Sequence, residues 1–398
     1  MIIPLSESRK CEILKGITVI ELGSYVAAPV CGRMLADFGA DVIKIERPTG
    51  DPWRTVGNNT AVKAYKDANP MFDILNSGKK SVILDLKSKD GVNILKKLLN
   101  KADVFLTNVR LSSLEKMGLC PENILDEFPS LIYALLTAYG IEGSERDMPG
   151  FDFTAFWAKS GMLRDLPLDI PGQYPCGIFT GVGDTIAGSI LFGGILGAII
   201  KRGKTNKGDF ITTSLLETAV WINNSMVIMS QPKYGERFPI APNERCAYAT
   251  YYRCSDGDWL HFGFMDYNRY MPKLLDVVGM PELIDDPRFA DEPSCRKNMQ
   301  EMIRILEERF ATKPLEEWLS LLSQKNIYGC RINHCSDLSQ DEQAWANGYL
   351  EEYHMPNGDK CIMPCPPFRY GSTGSMRSTT APYLGQDTEV ILSAIGRF

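Results

Sequence analysis

Short apolar runs alternate with amphipathic segments through the first half of the chain, and this pattern limits the fold more than any other feature of the sequence. The segment that follows residue 90 places Val92, Leu95, Leu98 and Leu99 on one helical face. Strands that alternate with such helices predict an α/β fold with a parallel sheet covered on both sides. The apolar runs predicted to form buried strands are 17–22, 41–46, 81–86, 103–107 and 131–137.

A different pattern begins near residue 228. Residues 247–253 and 259–264 flank Ser255-Asp-Gly-Asp258, which predicts a β-hairpin. The sequence therefore predicts a second, smaller α+β region, and a region rich in proline and glycine follows it from about residue 335. The helices predicted in the second region are 268–278, 298–311 and 315–324.

Composition narrows the class of protein. The 398 residues carry a net charge of −6, which argues against general binding to nucleic acid or to a membrane surface. None of the eleven cysteines is spaced as Cys-x-x-Cys, so we expect free thiols in the cytoplasm rather than disulfides or zinc ligands. The most apolar stretch, residues 186–200, is interpreted as too short to cross a bilayer, and no signal peptide is recognised.

Several common catalytic motifs are missing from the sequence. The turn after the first predicted strand is not Gly-x-Gly-x-x-Gly, and no Gly-x-x-x-x-Gly-Lys-Ser/Thr occurs, which argues against a dinucleotide dehydrogenase and a P-loop enzyme. The histidines are His261, His334 and His354, and their spacing fits neither a metal site nor a hydrolytic triad. Covalent catalysis would therefore need a carboxylate or a thiol as the nucleophile.

The segment Gly181-Val-Gly-Asp184 places an aspartate between glycines at the predicted start of a buried helix. Free backbone N–H groups and the helix dipole are expected to favour the ionised carboxylate, and the glycines would let a bulky ligand approach closely. Asp184 is therefore a candidate nucleophile toward an activated acyl group. The alternative is that Asp184 only caps the helix, as aspartate often does.

Basic and aromatic residues form two further candidate features. The aromatic run at 149–157 either shields an active site from water or belongs to the core. The basic cluster consists of Lys44, Arg47, Lys79, Lys80, Lys87, Arg110 and Lys116. Four of these residues lie at or just past the carboxyl ends of predicted strands, where parallel sheets bind ligands, and they are Lys44, Arg47, Lys87 and Arg110. A pyrophosphate and a ribose phosphate could bind there, and the alternative is that the basic residues are solvated surface charges.

Taken together, these segments resemble the family III CoA-transferases. The resemblance implies a Rossmann-like large domain that is built from both chain ends, with a smaller domain inserted between them, and an interlocked homodimer. The implied boundaries are 1–205 for the first part of the large domain, 206–227 for a linker, 228–330 for the small domain and 331–398 for the returning part. The segments that carry the resemblance are 14–22, 28–29, 39–47, 76–81, 84–87, 103–108, 149–152, 181–184 and 341–347.

The resemblance also implies the chemistry. Asp184 matches an aspartate that carries first an acyl group, as an anhydride, and then CoA, as a thioester, so that CoA passes from an acyl-CoA donor to a carboxylic acid. Coenzyme A and acyl-CoA are then substrates, and no permanently bound cofactor or metal is implied. Residues that match CoA contacts of the family are Arg47, Leu84, Lys87, Asn108, Val109 and Lys116.

The residues expected around the acid come from two segments. Ser24, Tyr25, Val26 and Ala27 follow the first predicted strand. Phe151 and Asp152 match a Tyr-Glu pair near the reacting centre of formyl-CoA transferase, a member of the family. That enzyme has histidine and glutamine where Ser24 and Val26 stand here, so formyl and oxalyl substrates are not expected.

Within the family, the sequence is most similar to clostridial transferases of aromatic and branched-chain 2-hydroxy acids. A dehydratase that acts on the CoA ester, in the fermentation of amino acids, is then the expected metabolic neighbour. An α-methylacyl-CoA racemase is disfavoured, because Phe151 replaces the acid–base histidine of that enzyme. A non-catalytic CoA-binding protein is the other alternative.

Overall fold

The computed structural model describes residues 10–55, 69–165, 181–235, 246–355, 357–376 and 378–396. These residues form two compact units. The first unit comes from both ends of the chain, with described residues up to 163, from 181 to 227 and from 341 onward. The second unit comes mainly from residues 228 to 340 and so extends past the expected boundary at residue 330.

The first unit is built around a six-stranded parallel sheet with the strand order β3-β2-β1-β4-β5-β6. This is the order of a doubly wound Rossmann fold, in which the direction of winding reverses between β1 and β4. The predicted α/β fold with a parallel sheet is confirmed. The strands are β1 Thr18–Leu22, β2 Asp41–Glu46, β3 Lys80–Ile83, β4 Val104–Thr107, β5 Ile132–Thr137 and β6 Asp209–Ser214.

Alternate residues of each strand enter two different hydrophobic cores, because successive side chains of a strand point to opposite faces of the sheet. Val19 and Val104 face a core that includes residues of helices 27–37 and 182–205, whereas Ile20 and Phe105 face a core that includes residues of helices 89–99 and 121–127.

The helices are α1 Ala27–Asp37, α2 Pro70–Asn76, α3 Lys89–Leu99, α4 Leu111–Lys116, α5 Pro121–Glu127, α6 Met162–Asp165, α7 Val182–Thr205, α8 Leu215–Ile222, α9 Asn224–Met229, α10 Tyr267–Val277, α11 Glu292–Lys297, α12 Met299–Phe310, α13 Leu315–Gln324, α14 Glu342–Ala346 and α15 Thr388–Ala394.

The sheet has a strand that the sequence analysis does not predict. Residues 206–227 are expected to be a linker, but β6 pairs with β5 along its whole length and α8 follows it directly. The prediction is wrong because β6 is an edge strand that is only partly buried. Its polar residues interrupt the apolar run by which the other strands are recognised in the sequence. Gly208 allows the chain to enter the sheet, since a Cβ there would collide with the carbonyl oxygen of Leu131.

Helix α7 is 24 residues long and, by length and composition, apolar enough to cross a membrane. The sequence analysis interprets residues 186–200 as too short to cross a bilayer, but the whole helix is long enough to do so. A single helix of this kind is weak evidence for a membrane span, because core helices of soluble proteins have the same properties. One face of α7 is buried, and Gly188 lets the helix approach α1 closely, since a Cβ at this position would collide with the carbonyl oxygen of Ala27.

The C-terminal segment covers the outer edge of β3. The Ser81 N–H donates to Asp387 Oδ2 at 2.9 Å, and the Ile83 N–H donates to Thr388 Oγ1 at 3.0 Å. The Gly385 N–H donates to Ser81 Oγ at 2.9 Å. Side chains of the C-terminal segment thus accept the hydrogen bonds that an open sheet edge would otherwise leave unpaired.

Two antiparallel strand pairs precede this segment, β10 Leu350–His354 with β11 Lys360–Pro364, and β12 Arg369–Tyr370 with β13 Gly374–Ser375.

The second unit contains a three-stranded antiparallel sheet and the helices α10 to α13. Burial alternates along β7 and β8, so one face of this sheet lies against a hydrophobic core. Trp318 is buried in that core, and its Nε1 donates to the carbonyl oxygen of Phe310 at 2.9 Å. The predicted hairpin is confirmed, with Gly257 at a φ of +90° in its turn. The strands are β7 Ala249–Arg253, β8 Trp259–Gly263 and β9 Gly329–Arg331.

Candidate active site

The segments that follow β1 and β4 meet at the point where the strand order reverses. The Ser24 N–H, just past β1, donates to Asn108 Oδ1 at 3.1 Å, and Asn108 Nδ2 donates to the Ser24 carbonyl oxygen at 2.9 Å. Parallel sheets bind ligands in the crevice outside such a reversal. The structure thus brings two predicted site residues together, but the side-chain amide of Asn108 is engaged by the backbone of Ser24.

Tyr25 follows in an unusual backbone conformation. Its φ is +64°, a left-handed value that costs a residue other than glycine about 1 kcal/mol. The Tyr25 N–H donates to Asp51 Oδ1 at 3.1 Å, and the Trp53 N–H donates to the same oxygen at 2.9 Å. Tyr25 is 37% exposed, so its ring remains available to a ligand.

Two lysines of the predicted basic cluster are buried in an ion-pair network. Lys44 Nζ lies 2.9 Å from Glu21 Oε1 and 3.0 Å from Asp51 Oδ2, and Lys79 Nζ lies 2.7 Å from Glu21 Oε2. Burial opposes the charged form of Lys44, but Glu21 and Asp51 outweigh it and raise the pKa of that ammonium. Burial lowers the pKa of Lys79 to about 8. The interpretation of Lys44 as a phosphate ligand is wrong, and neither lysine is a solvated surface charge, because both neutralise carboxylates inside the domain.

Asp184 lies in the first turn of α7, beside the N-terminus of α1. Gly181 precedes the helix at a φ of +89°, and a Cβ on it would lie 3.6 Å from Val26 Cγ1. Val26 and Ala27 are both buried, and they pack beside the N-terminal part of α7. Asp184 itself is half-buried, and no described residue donates a hydrogen bond to its carboxylate.

Asp152 occupies the N–H groups at the start of α7. Its Oδ2 accepts the Gly181 N–H at 2.7 Å, and its Oδ1 accepts the Gly183 N–H at 2.9 Å. Asp152 is buried, and a Cβ on Gly183 would collide with its Oδ1 and with the ring of Phe156. The glycine at position 183 is therefore needed for the approach of Asp152, whereas the sequence analysis assigns it to the approach of a ligand.

The expectation that the helix terminus favours ionised Asp184 is wrong. Because Asp152 takes the free N–H groups, burial and the neighbouring charge of Asp152 raise the pKa of Asp184 to about 7. Burial also raises the pKa of Asp152, although the N–H groups of Gly181 and Gly183 oppose that shift. Asp184 can therefore be ionised near neutral pH while remaining more basic than an ordinary aspartate, which suits a carboxylate nucleophile.

Four aromatic side chains form a row next to these carboxylates, and we call Trp53, Tyr25, Phe151 and Phe153 the aromatic row. Ring centroids are 6.2 Å apart for Trp53 and Tyr25, 5.8 Å for Tyr25 and Phe151, and 5.5 Å for Phe151 and Phe153. Phe151 is 48% exposed and Phe153 is 49% exposed, whereas Phe156 is buried. Each interpretation of the aromatic run is therefore correct for part of it. Phe151 and Phe153 form an open apolar face, whereas Phe156 belongs to the core.

The remaining predicted CoA contacts lie near the ends of neighbouring strands. Arg47 follows β2 and Lys87 lies just beyond β3, and both are exposed, as is Lys116 at the end of α4. Arg47 Nε donates to the carbonyl oxygen of Gly50 at 2.8 Å. Leu84 is buried, so only its backbone can contact a ligand, and Val109 is partly buried against the same core.

Three residues around the site are absent from the predicted set. Asp51 looks like an ordinary helix cap in the sequence, because the Asp-Pro-Trp order is typical of a helix start. Trp53 carries no local signal beyond being aromatic, and only the packing of its ring on Tyr25 places it in the aromatic row. Phe153 lies in the aromatic run at 149–157, but the sequence does not show which rings of that run face the site, and its packing on Phe151 decides this.

The described acidic, histidine and cysteine side chains do not assemble into a metal centre. In the described ranges, no group of three or more His, Cys, Asp or Glu side chains is arranged to hold a metal ion. The ten cysteines within those ranges are free thiols, and Cys176 lies outside them. The chemistry that the described residues offer is therefore that of a half-buried carboxylate beside an apolar face.

Comparisons with known proteins agree with this chemistry. The chain is 37% identical to a protein named (R)-2-hydroxy-4-methylpentanoate CoA-transferase from Clostridioides difficile, over 96% of each chain. It is 33% identical to a protein named cinnamoyl-CoA:phenyllactate CoA-transferase from Clostridium sporogenes, over 96% of this chain and 93% of that protein.

Solved structures have the same fold. The crystal structure of Rv3272 from Mycobacterium tuberculosis matches 94% of this chain and 98% of its own, with a TM-score of 0.82 and 28% identity. A CAIB/BAIF family protein from Brucella suis matches 97% of this chain and all of its own, with a TM-score of 0.81 and 27% identity. The family model described as CoA-transferase family III matches residues 14–388. This chain is therefore an enzyme that belongs to CoA-transferase family III.

Proposed function

We propose that Asp184 is the residue that carries the acyl group and then CoA during transfer. The observation that carries this proposal is the state of its carboxylate, which is half-buried, accepts no hydrogen bond from a described residue and has a pKa raised to about 7. A carboxylate that no partner neutralises keeps its nucleophilicity. Asp152, by contrast, is fully engaged by backbone N–H groups and is assigned a positioning role.

The reaction balances without an external acid, base or ATP. Asp184 attacks the donor thioester, the C–S bond breaks, and CoA leaves as a thiolate while an acyl-aspartyl anhydride forms. The thiolate then attacks the Asp184 carbonyl carbon, so that the donor acid leaves as a carboxylate and CoA is held on Asp184 as a thioester. The acceptor carboxylate attacks this thioester to give a second anhydride, and the released thiolate attacks the acceptor carbonyl. The acceptor leaves as its CoA ester and Asp184 is restored.

Mass spectrometry tests the assignment of Asp184. After incubation of the enzyme with an acyl-CoA, the peptide that contains Asp184 should gain the mass of an acyl group or of CoA, and hydroxylamine should trap it as a hydroxamate. A preparation that turns over while this peptide stays unmodified would refute the assignment. A preparation that binds CoA but neither turns over nor forms the adduct would favour a non-catalytic CoA-binding protein.

The exposed cations near the strand ends are proposed to hold the phosphates of CoA. The net charge of −6 repels a polyanion, so binding requires local positive charge. Arg47, Lys87 and Lys116 are exposed and supply such charge, while Leu84 and Val109 would contribute backbone contacts.

The acceptor is proposed to be a 2-hydroxy acid with an apolar side chain. The names of the two clostridial relatives refer to acids of this class, one branched and one aromatic. The aromatic row supports the same class, because it offers about half of the surface of both Phe151 and Phe153 beside the carboxylates. Aromatic faces bind apolar groups and give little to a short or charged acid.

Substitution of Phe151 by alanine is expected to raise KM for branched or aromatic 2-hydroxy acids by about 10-fold, which corresponds to one lost aromatic contact. The KM for a 2-hydroxy acid with a methyl side chain should change by less than about 2-fold, because so short a side chain gains little from an aromatic contact. Steady-state kinetics with the two acids measure this difference. Tyr328→Ala, at an exposed ring of the second unit, is the matched control. An equal loss for both acids would contradict the assignment of the aromatic row.

A homodimer is proposed for the protein in solution. Apolar side chains of α7 and α8 are exposed in the single chain, with Ile200 63% and Trp221 70% exposed, and Trp221 borders a groove of about 570 Å³. Exposed apolar surface of this kind marks an interface in soluble proteins. The groove is lined by Ile190, Thr213, Glu217, Thr218, Val220, Trp221, Asn224 and Val227.

Trp221→Asp is expected to weaken this dimer by about 100-fold or more, since a buried tryptophan is a common interface hot spot. Size-exclusion chromatography with light scattering should show a dimer for the wild type and a monomer for the variant at low micromolar concentration. Val390→Asp removes another exposed apolar side chain, on α15, and should leave the dimer intact. A wild type that is monomeric at all concentrations would contradict the proposal.

A cytoplasmic location is proposed on the free thiols and the acidic charge. The expected metabolic neighbour is an enzyme that eliminates water from the CoA ester of the 2-hydroxy acid.

A further inference from the structure

The backbone of the turn after β1 is bound by three side chains from different parts of the chain. Lys44 Nζ donates to the Gly23 carbonyl oxygen at 2.9 Å. Asn108 binds both the N–H and the carbonyl oxygen of Ser24, and Asp51 accepts the N–H of Tyr25. Four successive polar groups of the turn are therefore fixed by side chains.

We propose that Lys44, Asp51 and Asn108 form a clamp that holds Tyr25 in position and thereby sets the affinity of the enzyme for the acceptor acid. This inference rests on the proposed function, in which Tyr25 belongs to the face that binds the acid. The three residues are positioning residues, since each of them acts through the backbone of the turn.

The clamp is rigid because its cation has no freedom to rearrange. Lys44 Nζ donates to Glu21 Oε1 and to the Gly23 carbonyl oxygen, both at 2.9 Å, and forms an ion pair with Asp51 Oδ2 at 3.0 Å. Lys44 is fully buried, and its position is restricted further by the ion pair between Glu21 and Lys79. Buried ion pairs are often no more stabilising than apolar residues of similar size, so a geometric role accounts better for this network than a contribution to stability.

Asp51 links the turn to the rest of the aromatic row. One of its oxygens accepts the N–H groups of both Tyr25 and Trp53, whose rings meet edge to face. The left-handed φ of Tyr25 persists only while the surrounding bonds hold it. Loss of the clamp should therefore release Tyr25 into an ordinary conformation and break the row between Trp53 and Phe151.

The decisive experiment uses Asn108, because the clamp and the family resemblance predict different outcomes for it. Asn108→Ala removes two hydrogen bonds to Ser24 at a half-buried position, where water can replace them. The clamp predicts that KM for a branched 2-hydroxy acid rises by about 10-fold, the effect of one or two lost hydrogen bonds. A direct contact of the Asn108 side chain with CoA would instead raise KM for the acyl-CoA.

Hydrogen exchange of the peptide that contains Ser24 and Tyr25 shows in the same samples whether the turn has opened. Asn93→Ala, at an exposed asparagine of α3, is the control and should change neither KM nor exchange. The expected result is faster exchange, a higher KM for the acid and an unchanged KM for the acyl-CoA. Unchanged exchange, or faster exchange with an unchanged KM for the acid, would overturn the clamp, and so would an equal rise in both KM values.

A second variant tests the buried end of the clamp. Asp51→Asn keeps an acceptor for Tyr25 and Trp53 but places an amide against the ammonium of Lys44. We expect a higher KM for the acid together with a lower melting temperature, whereas a lower melting temperature with an unchanged KM would overturn the proposal. The adduct on Asp184 of the wild type is measured in parallel. Its absence would refute the role of Asp184, while the exchange data would still decide whether the clamp exists.

Discussion

Replacement of Asp184 by alanine is expected to abolish CoA transfer, with kcat lower by at least about 10⁴-fold, because the reaction then lacks the group that is proposed to carry both covalent intermediates. Mass spectrometry of the CoA products, with an acyl-CoA donor and a 2-hydroxy acid, measures the loss. The variant should still bind free CoA, since Asp184 is proposed to contact the thioester and not the phosphates. Turnover of the alanine variant at the wild-type rate would contradict the mechanism.

Asp184→Asn is the matched control for shape, and we expect it to be as inactive as the alanine variant. The pKa of the Asp184 carboxyl is raised on folding to about 7, so its ionisation destabilises the folded protein. This destabilisation is absent below the unfolded pKa of about 4 and is complete above the folded pKa. The asparagine variant lacks it and should melt at a higher temperature than the wild type at pH 8, with a difference that vanishes near pH 4. A lower melting temperature at pH 8 would contradict the destabilising ionisation of Asp184.

The sheet could be predicted because its strands are local features. β1, β2, β4 and β5 are short runs of consecutive buried residues, which a sequence reveals without knowledge of the neighbours. β6 could not be predicted in this way, because it is an edge strand whose burial is partial and depends on its pairing with β5. The reversal point between β1 and β4 follows from the strand order, which the sequence analysis does not determine.

The electrostatics of the site could not be predicted because each charge depends on partners that are distant in the sequence. Lys44 resembles a surface cation until Glu21 and Asp51 are brought to within about 3 Å of it. Asp184 resembles an aspartate that is stabilised by a helix terminus until Asp152 takes the N–H groups. The resemblance to the family makes Asp184 the candidate nucleophile but does not give its state of ionisation.

Asp152→Asn is expected to lower kcat by about 10²-fold and, at the same time, to shift the pH dependence of kcat to lower pH. The rate should fall because an amide can accept only one of the two N–H groups that Asp152 binds, so the start of α7 and Asp184 lose their position. In the wild type, kcat should be low below pH 7, rise as Asp184 ionises near pH 7 and level off above it. Removal of the Asp152 charge lowers the pKa of Asp184, so the rise should occur at a lower pH.

Asp147→Asn is the control for Asp152→Asn, because Asp147 also accepts a backbone N–H near a helix start, that of Ser112 at 3.0 Å, but lies at α4 and not at α7. It should leave both kcat and the pH profile unchanged. Partial unfolding would lower the rate of Asp152→Asn at every pH without moving the midpoint. A lower rate with an unmoved midpoint and an unchanged melting temperature would instead mean that Asp152 positions α7 but does not raise the pKa of Asp184. A moved midpoint with an unchanged plateau would mean that its charge acts on Asp184 while its hydrogen bonds are dispensable for catalysis.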